Sequence, residues 1–274
     1  MLKFIVTTAR KPNLETETLA ANFAEKLNLK FVPRKDFSLE TLKQMHGAEN
    51  ILLIKNNFPV ISTIEGELFF HPNTAHLRIK NLRQGEGDRL IDAAKIQSGD
   101  KILDCTLGLG SDSIVESFAV GITGKVTALE INPVLAEIVR YGMKNFSDDT
   151  SPVIEAMRRV EVVTADYFDY LKNCADNSFD VVYFDPMFRH AINKSSGINP
   201  IRPLADNRPL EIVSVIEACR VARRCVVMKE NSRSTEFERL GFKIADGGKY
   251  SSISFGVIDS KNFQGYNLNI NFEN

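Results

Sequence analysis

Residues 101–110, KILDCTLGLG, constrain the fold of this chain more than any other stretch. Ile102 and Leu103 read as a short buried strand that ends on Asp104 and opens into a turn holding Gly108 and Gly110. Residues 111–120 then carry the spacing of a helix. A strand that runs through a Gly-x-Gly turn into a helix start lets the backbone approach a nucleotide-like ligand closely and offers it unpaired N–H groups. The complete dinucleotide pattern G-x-G-x-x-G is not met, because Ser113 stands at its third glycine, and the acidic Asp104 precedes Gly108 by four residues. A carboxylate at that point suits a cationic ligand better than a pyrophosphate. A plain tight turn is the other reading of this string, and the residues downstream decide between the two.

From Gly99 onward strands and helices alternate: strand 101–105, helix 111–120, strand 125–130, helix 133–146, strand 160–164, helix 167–172, strand 179–184, helix 209–222, strand 224–228, helix 233–239, then strands 242–246 and 251–258. Alternation of this kind predicts a Rossmann-like, doubly wound, mostly parallel sheet of seven strands. The connection 246–250 is too short for a crossover helix, so the last strand is expected to run antiparallel. Upstream, strands 2–8, 29–32, 51–54, 60–64 and 68–70 with helices 14–27 and 38–45 predict a small N-terminal α/β subdomain over residues 1–75, with a hairpin at Gly66. A basic linker and leading helix over 76–98 would join it to a main domain at 99–260, followed by a polar tail at 261–274.

Composition narrows the class. The chain has 274 residues, 43% hydrophobic and 25% charged, as in an ordinary globular protein. No apolar run approaches the ~20 residues that span a bilayer, and the N-terminus lacks the pattern of a secretory signal, so no membrane partner is expected and the cytoplasm is the expected location. The four cysteines show no C-x-x-C spacing, which predicts reduced thiols and no metal site. A net charge of −1 means that any contact with nucleic acid must use a local basic patch.

In a doubly wound sheet ligands bind beyond the carboxyl ends of the strands, where the strand order reverses. The first strand ends at Asp104, Gly108 and Gly110, with Ser111 and Asp112 opening the helix. The second ends in Glu130, about twenty residues past the glycines, where a carboxylate can accept both ribose hydroxyls; a helix cap is its alternative role. The third ends in Asp166 and Tyr167. There the carboxylate either accepts an adenine amine, with the ring alongside, or caps the following helix. S-adenosylmethionine (SAM), with an ammonium, a sulfonium and no phosphate, is the cofactor this set suits.

The fourth strand ends in Asp185-Pro186-Met187-Phe188, the sharpest feature of the sequence. A carboxylate on a rigid proline turn can accept the N–H bonds of an amine on a planar base, and an aromatic two residues on can stack on a base taken out of its helix. Asp185, Pro186 and Phe188 are the expected catalytic set. Residues 189–208 follow with Arg189, His190, Lys194 and Arg202, a basic loop fit to contact RNA. Lys229, ending the strand RCVVMK, points to the same edge, as an RNA contact or as a strand end in solvent. Arg78, in the polar stretch 71–87, is either a phosphate contact or part of a solvated face.

With these residues in hand, 86–258 resembles a class I SAM-dependent methyltransferase. More narrowly, GLGSD at 108–112, EINP at 130–133 and DPMF-x-H at 185–190 resemble the bacterial methyltransferases that modify guanine N2 in small-subunit ribosomal RNA, whose members carry GLGRD, E-R-x-P and DPMYPH. The resemblance implies cofactor contacts at Ser111, Asp112, Glu130, Ile131, Asp166, Tyr167 and Asp185, and RNA as the partner. Ser111 and Ile131 stand where that family has arginines, and Arg189 replaces its proline.

Overall fold

The computed structural model describes residues 3–186, 201–246 and 251–262. Its first sheet comprises β1 (Phe4–Thr8), β2 (Lys30–Phe31), β3 (Asn50–Lys55), β4 (Phe58–Thr63) and β5 (Gly66–Phe69), in the order β2-β1-β3-β4-β5. β2 and β3 flank β1 in parallel, whereas β3, β4 and β5 follow one another antiparallel. Crossovers are made by α1 (Leu14–Lys26) and α2 (Leu39–His46). The side chain of Asn13 accepts the Thr16 N–H and that of Ser38 the Thr41 N–H, so each helix starts on a residue that satisfies an otherwise orphaned donor.

The second sheet has seven strands: β6 (Lys101–Asp104), β7 (Lys125–Glu130), β8 (Val160–Thr164), β9 (Phe179–Phe184), β10 (Ala222–Asn231), β11 (Lys243–Asp246) and β12 (Ile253–Asp259). Their order is β11-β12-β10-β9-β6-β7-β8. The five strands from β10 to β8 are parallel, and β12 runs antiparallel between β10 and β11, as the short connection before it requires. β7 and β8 extend the sheet on one side of β6, and β9 starts the other side. The winding therefore reverses between β6 and β9, where a crevice must open. The crossover helices include α5 (Ser111–Val120), α6 (Pro133–Asn145), α8 (Tyr167–Lys172) and α9 (Ile212–Val221).

Two helices depart from the sequence reading. Residues 71–87, expected as a polar linker, contain α3 (Asn73–Arg83), which buries Ala75 and Ile79 and lies against α5. Only a narrow stripe of this helix is apolar, so its periodicity is faint. It leads into α4 (Arg89–Ala94), which starts on Asp88 as its cap. The second is α7 (Ser151–Arg159), where Val153, Ala156 and Met157 face inward after a proline in the first turn.

One apolar cluster joins the two sheets. It holds Val6, Phe23, Leu52 and Phe70 from the first and Leu107, Ala128, Val139 and Met143 from the second. Phe23 and Phe58 meet the Tyr141 ring at centroid distances of 5.3 and 5.6 Å. A Cβ at Gly142 would lie 2.3 Å from the Phe70 ring, so α6 approaches the first sheet more closely than any larger residue allows.

Candidate active site

The turn after β6 is built by Asp104. Its carboxylate accepts the Thr106 N–H at 2.9 Å and the Ser113 hydroxyl, and it is 1% exposed. Burial, only partly offset by these bonds, pushes its carboxyl up to about 7. This corrects the expectation that Asp104 meets a cationic ligand: it holds the turn to α5 and does not line the cavity. Gly108 and Gly110 both have positive φ, +52° and +79°. A Cβ on Gly110 would lie 2.3 Å from Met143 Cε, so this glycine serves the packing of α6. At Gly108, on the cavity wall, a Cβ would meet only the tip of Ile201 and the Thr106 carbonyl, each in ordinary contact at 4.0 Å.

The cavity lies at the β6–β9 reversal, where the strand-end rule expects it. Apolar walls come from Leu129, Leu135, Phe184 and Leu210, with Ile131 and Tyr167 beside them. Glu130, at the end of β7, faces the cavity while its carboxylate takes the backbone N–H groups of Asn132 and Gly108, which ties the glycine turn to β7. Burial raises this carboxyl to about 7. Asp166 caps α8 by accepting the Phe168 and Asp169 N–H groups at 2.8 and 3.3 Å and does not line the cavity, so the capping role expected as its alternative is the one seen.

Residues 201–210 supply a wall that sequence reading did not anticipate. Ile201, Ala205, Asp206 and Arg208 line the cavity, and the Asn132 side chain donates to the Leu204 carbonyl at 3.0 Å. Arg208 reaches Asp166 and Asp206, each at 2.6 Å, and lies 5.9 Å from the centroid of the Tyr167 ring. Arg208 closes the stretch 189–208 expected to contact RNA, but its charge is engaged by these two carboxylates. The alternation of Leu204 and Leu210 with polar residues was the available signal.

Asp185 and Pro186 line the cavity on the β9 side. The Asp185 N–H donates to the Thr106 hydroxyl at 2.6 Å, and its Oδ2 accepts from Lys229 Nζ at 2.7 Å. Lys229 also donates to Asp112 Oδ2 at 3.0 Å, as does the Tyr183 hydroxyl. Arg78 binds Asp88 through two nitrogens, at 2.7 and 2.8 Å, and donates to Asp112 Oδ1. Lys229 and Arg78, expected at an RNA-facing edge, are thus turned inward. Asp112 is part of this network and does not line the cavity, and Ser111 has a buried hydroxyl with no hydrogen-bond partner among the described residues. Arg202 does not line it either, and its Nε is likewise buried without a partner among the described residues. Phe188, Arg189, His190 and Lys194 lie outside the described residues.

Among the described residues no group of three or more His, Cys, Asp or Glu is arranged to hold a metal, and no helix is long and apolar enough to cross a membrane. All four cysteines are free thiols.

Comparison with known proteins agrees with this geometry. Residues 22–205 match a family described as "Putative SAM-dependent methyltransferase". An uncharacterized protein of Bacillus subtilis, YpiP, is 39% identical over 258 residues, 93% of this chain and 99% of that one. Ribosomal RNA small subunit methyltransferase J of Dechloromonas aromatica is 28% identical over 220 residues, 77% of this chain and 83% of the relative. The fold is also that of the crystal structure of a SAM-dependent methyltransferase from Neisseria gonorrhoeae, with a TM-score of 0.63 at 16% identity, covering 94% of this chain and 96% of the other. The matched segment takes in the glycine turn, Glu130 and Asp185, and on that ground the chain belongs to the family of SAM-dependent methyltransferases, with SAM as its cofactor.

Proposed function

We propose that this methyltransferase acts on an exocyclic amine of a nucleobase, guanine N2 in small-subunit ribosomal RNA. The observation that carries the reading is the Asp185 carboxyl group in the wall of the same cavity that Gly108 and Glu130 line. Relatives named as ribosomal RNA small subunit methyltransferases support RNA as the substrate class, and with it a cytoplasmic place of work.

The cavity fits the cofactor by its own chemistry. An open face at Gly108 admits a ligand close to the backbone, apolar side chains suit an adenine ring, and Glu130 is placed to accept ribose hydroxyls. Glu130 and Asp185 place carboxyl groups in the lining, while Arg208, the cation in it, is paired with Asp206 and Asp166, an arrangement better suited to a cationic sulfur compound than to a pyrophosphate. When bound, the cofactor supplies a methyl group on a cationic sulfur.

The residues do the rest by positioning and electrostatics. An exocyclic amine is a weak nucleophile because its lone pair is delocalised into the ring. Asp185 Oδ1, which accepts no hydrogen bond from the described residues, takes an amine N–H, aims the lone pair across the cavity and receives the proton that the methylated nitrogen sheds. Pro186 limits the freedom of the turn, and Phe188 is assigned to stack on the extruded base. Arg189, His190, Lys194 and Arg202 are assigned to phosphates and flanking bases.

The test is methyl transfer from labelled SAM to ribosomal RNA and small subunits taken from cells lacking the gene, followed by nucleoside mass spectrometry. N2-methylguanosine at a single position is the expected product. Label found only in DNA or in a small molecule would overturn the substrate assignment.

A further inference from the structure

Lys229 and Asp112 lie outside the cavity lining, yet they form the immediate surroundings of Asp185. We propose that Lys229, braced by Asp112 and Arg78, is the positioning residue that holds Asp185 Oδ2 and leaves Oδ1 turned to the substrate amine. The inference rests on the reading of Asp185 as the amine acceptor.

Strand register makes the pairing unavoidable. β10 runs parallel to β9 with Val227 beside Tyr183 and Met228 beside Phe184. One residue further on, Lys229 stands beside Asp185, and the two-residue alternation of strands turns it to the same face as Val227 and Tyr183. That face is covered by α4 over β10 and β12, and beside it the first turn of α5 presents Asp112 to Tyr183 and Lys229. Nζ consequently meets two carboxylate oxygens, at 2.7 Å on Asp185 and 3.0 Å on Asp112, while the lysine side chain is only 19% exposed. A lysine so placed is a poor phosphate contact, since reaching RNA would strip two partly buried carboxylates of their counter-ion.

The wider surroundings explain why a cation is needed there. The ionisable groups acting on Asp185 are Lys229 from β10, Asp112 from α5, Asp104 from β6, Tyr183 from β9 and Arg78 from α3; behind them Asp88 pairs with Arg78, and Glu116 of α5 stands near Asp104 and Asp112. Acids outnumber cations. Burial and the charge of Asp112 push the Asp185 carboxyl up, and Lys229 opposes that rise. Asp112, although mostly shielded from solvent, is held well below the usual carboxylate range by Lys229 and Arg78. Without Lys229, two partly buried carboxylates would face each other and one would take up a proton. A protonated Asp185 donates a hydrogen bond where the amine requires an acceptor. Arg78 extends the arrangement to α3, so the helix that follows the first sheet braces the acid of the second.

The test uses the full-length protein as wild type, Lys229→Met, Lys229→Arg and Asp112→Asn. In Lys229→Met, kcat for RNA methylation is expected to fall about 100-fold, the effect of a misdirected reacting group. KM for RNA and affinity for S-adenosylhomocysteine should each stay within about threefold, since neither contact is touched. The acid limb of kcat should move up by about one pH unit or more as Asp185 loses its counter-ion. Lys229→Arg should recover all but about tenfold, because a guanidinium keeps the charge in a different shape. Carboxyl-carbon NMR titration of Asp185 reads the same effect without any RNA, with the midpoint rising in Lys229→Met. If that variant does not fold, Asp112→Asn carries the test, with a smaller fall in kcat and a downward midpoint as a like charge is removed. A loss confined to KM for RNA, or an unmoved Asp185 titration, overturns the inference. A wild type inactive on RNA overturns only the substrate reading, because the titration stands apart from it.

Discussion

Both sheets contain a point where the winding reverses, and only one of them is left open. In the first sheet β2 and β3 leave β1 in opposite directions, as β7 and β9 leave β6 in the second. The crevice between β1 and β3 is closed by the tight β3–β4 hairpin. Its Asn57 accepts from the Thr16 hydroxyl at 2.6 Å and donates to Glu15 at 2.7 Å, sealing the turn onto α1. At the second reversal the chain leaves β9 through Asp185 and Pro186, and a cavity remains. The charges at the two edges also differ. Arg10, Lys11, Arg34 and Lys35 follow β1 and β2, whereas Asp104, Glu130, Asp166 and Asp185 end the strands of the second sheet. The winding creates a place for a ligand. The connection that leaves it and the side chains at its rim decide whether one binds and of what charge.

The contrast is broken most directly at Asp185. Asp185→Ala should lower methyl transfer by about 1,000-fold, in the range of losing a positioned acid–base group. Affinity for S-adenosylhomocysteine should change by less than about fivefold, because the glycine turn and Glu130 are untouched. Single-turnover assays and calorimetry check the two halves separately, and an active variant would move the reaction away from this edge.

Glu130→Gln should weaken the cofactor by about 30-fold, the scale of charged hydrogen bonds to hydroxyls. The same residue sets a pH dependence. Its carboxyl stands near 7 in the free protein and must be ionised to accept two hydroxyls, so affinity should rise between pH 6 and 7 and level off above. Calorimetry in buffers of different ionisation heat would detect the released proton, and the release should vanish in Glu130→Gln.

Stability of the ligand-free protein should carry the sign of Asp104 and Glu130 together. Both have carboxyls raised to about 7 from ordinary values near 4. Between those limits the folded state binds more protons than the unfolded one, so stability should decline as pH rises through that window and flatten above it. Melting a few degrees higher at pH 5.5 than at 7.5 is expected.

The smallest effect belongs to the basic edge. Arg34 has a buried Nε with no partner among the described residues, and burial and the charge of Arg10 lower its guanidinium pKa. The pair Arg10→Gln and Arg34→Gln should leave stability within about 0.5 kcal/mol, as at most surface sites. Methyl transfer should stay within about twofold. A fall of about two in the salt slope of RNA binding would instead make the first sheet part of the RNA interface and sharpen the contrast into a division of labour.

Much of this was legible in local pattern. The alternation after Gly99 gave the winding, the short connection before β12 its direction, and the spacing from Gly108 to Glu130 two walls of one cavity. Other elements left weak traces. α3 buries little beyond Ala75 and Ile79 and is held as much by Arg78 as by apolar contact, so its periodicity reads as a linker. Residues 201–210 carry several charges that look exposed until Arg208 is seen between Asp166 and Asp206.

By itself the sequence determined which residues end the strands and which turns require glycine, because those depend on neighbours a few positions away. Tertiary structure alone decided which way the ends point. Asp104 folds back into its own turn, and Lys229 reaches Asp112 across 117 residues of chain, turned inward by strand register. A charge finds its partner through space, and in a wound sheet the nearest strand is seldom the next one in the chain.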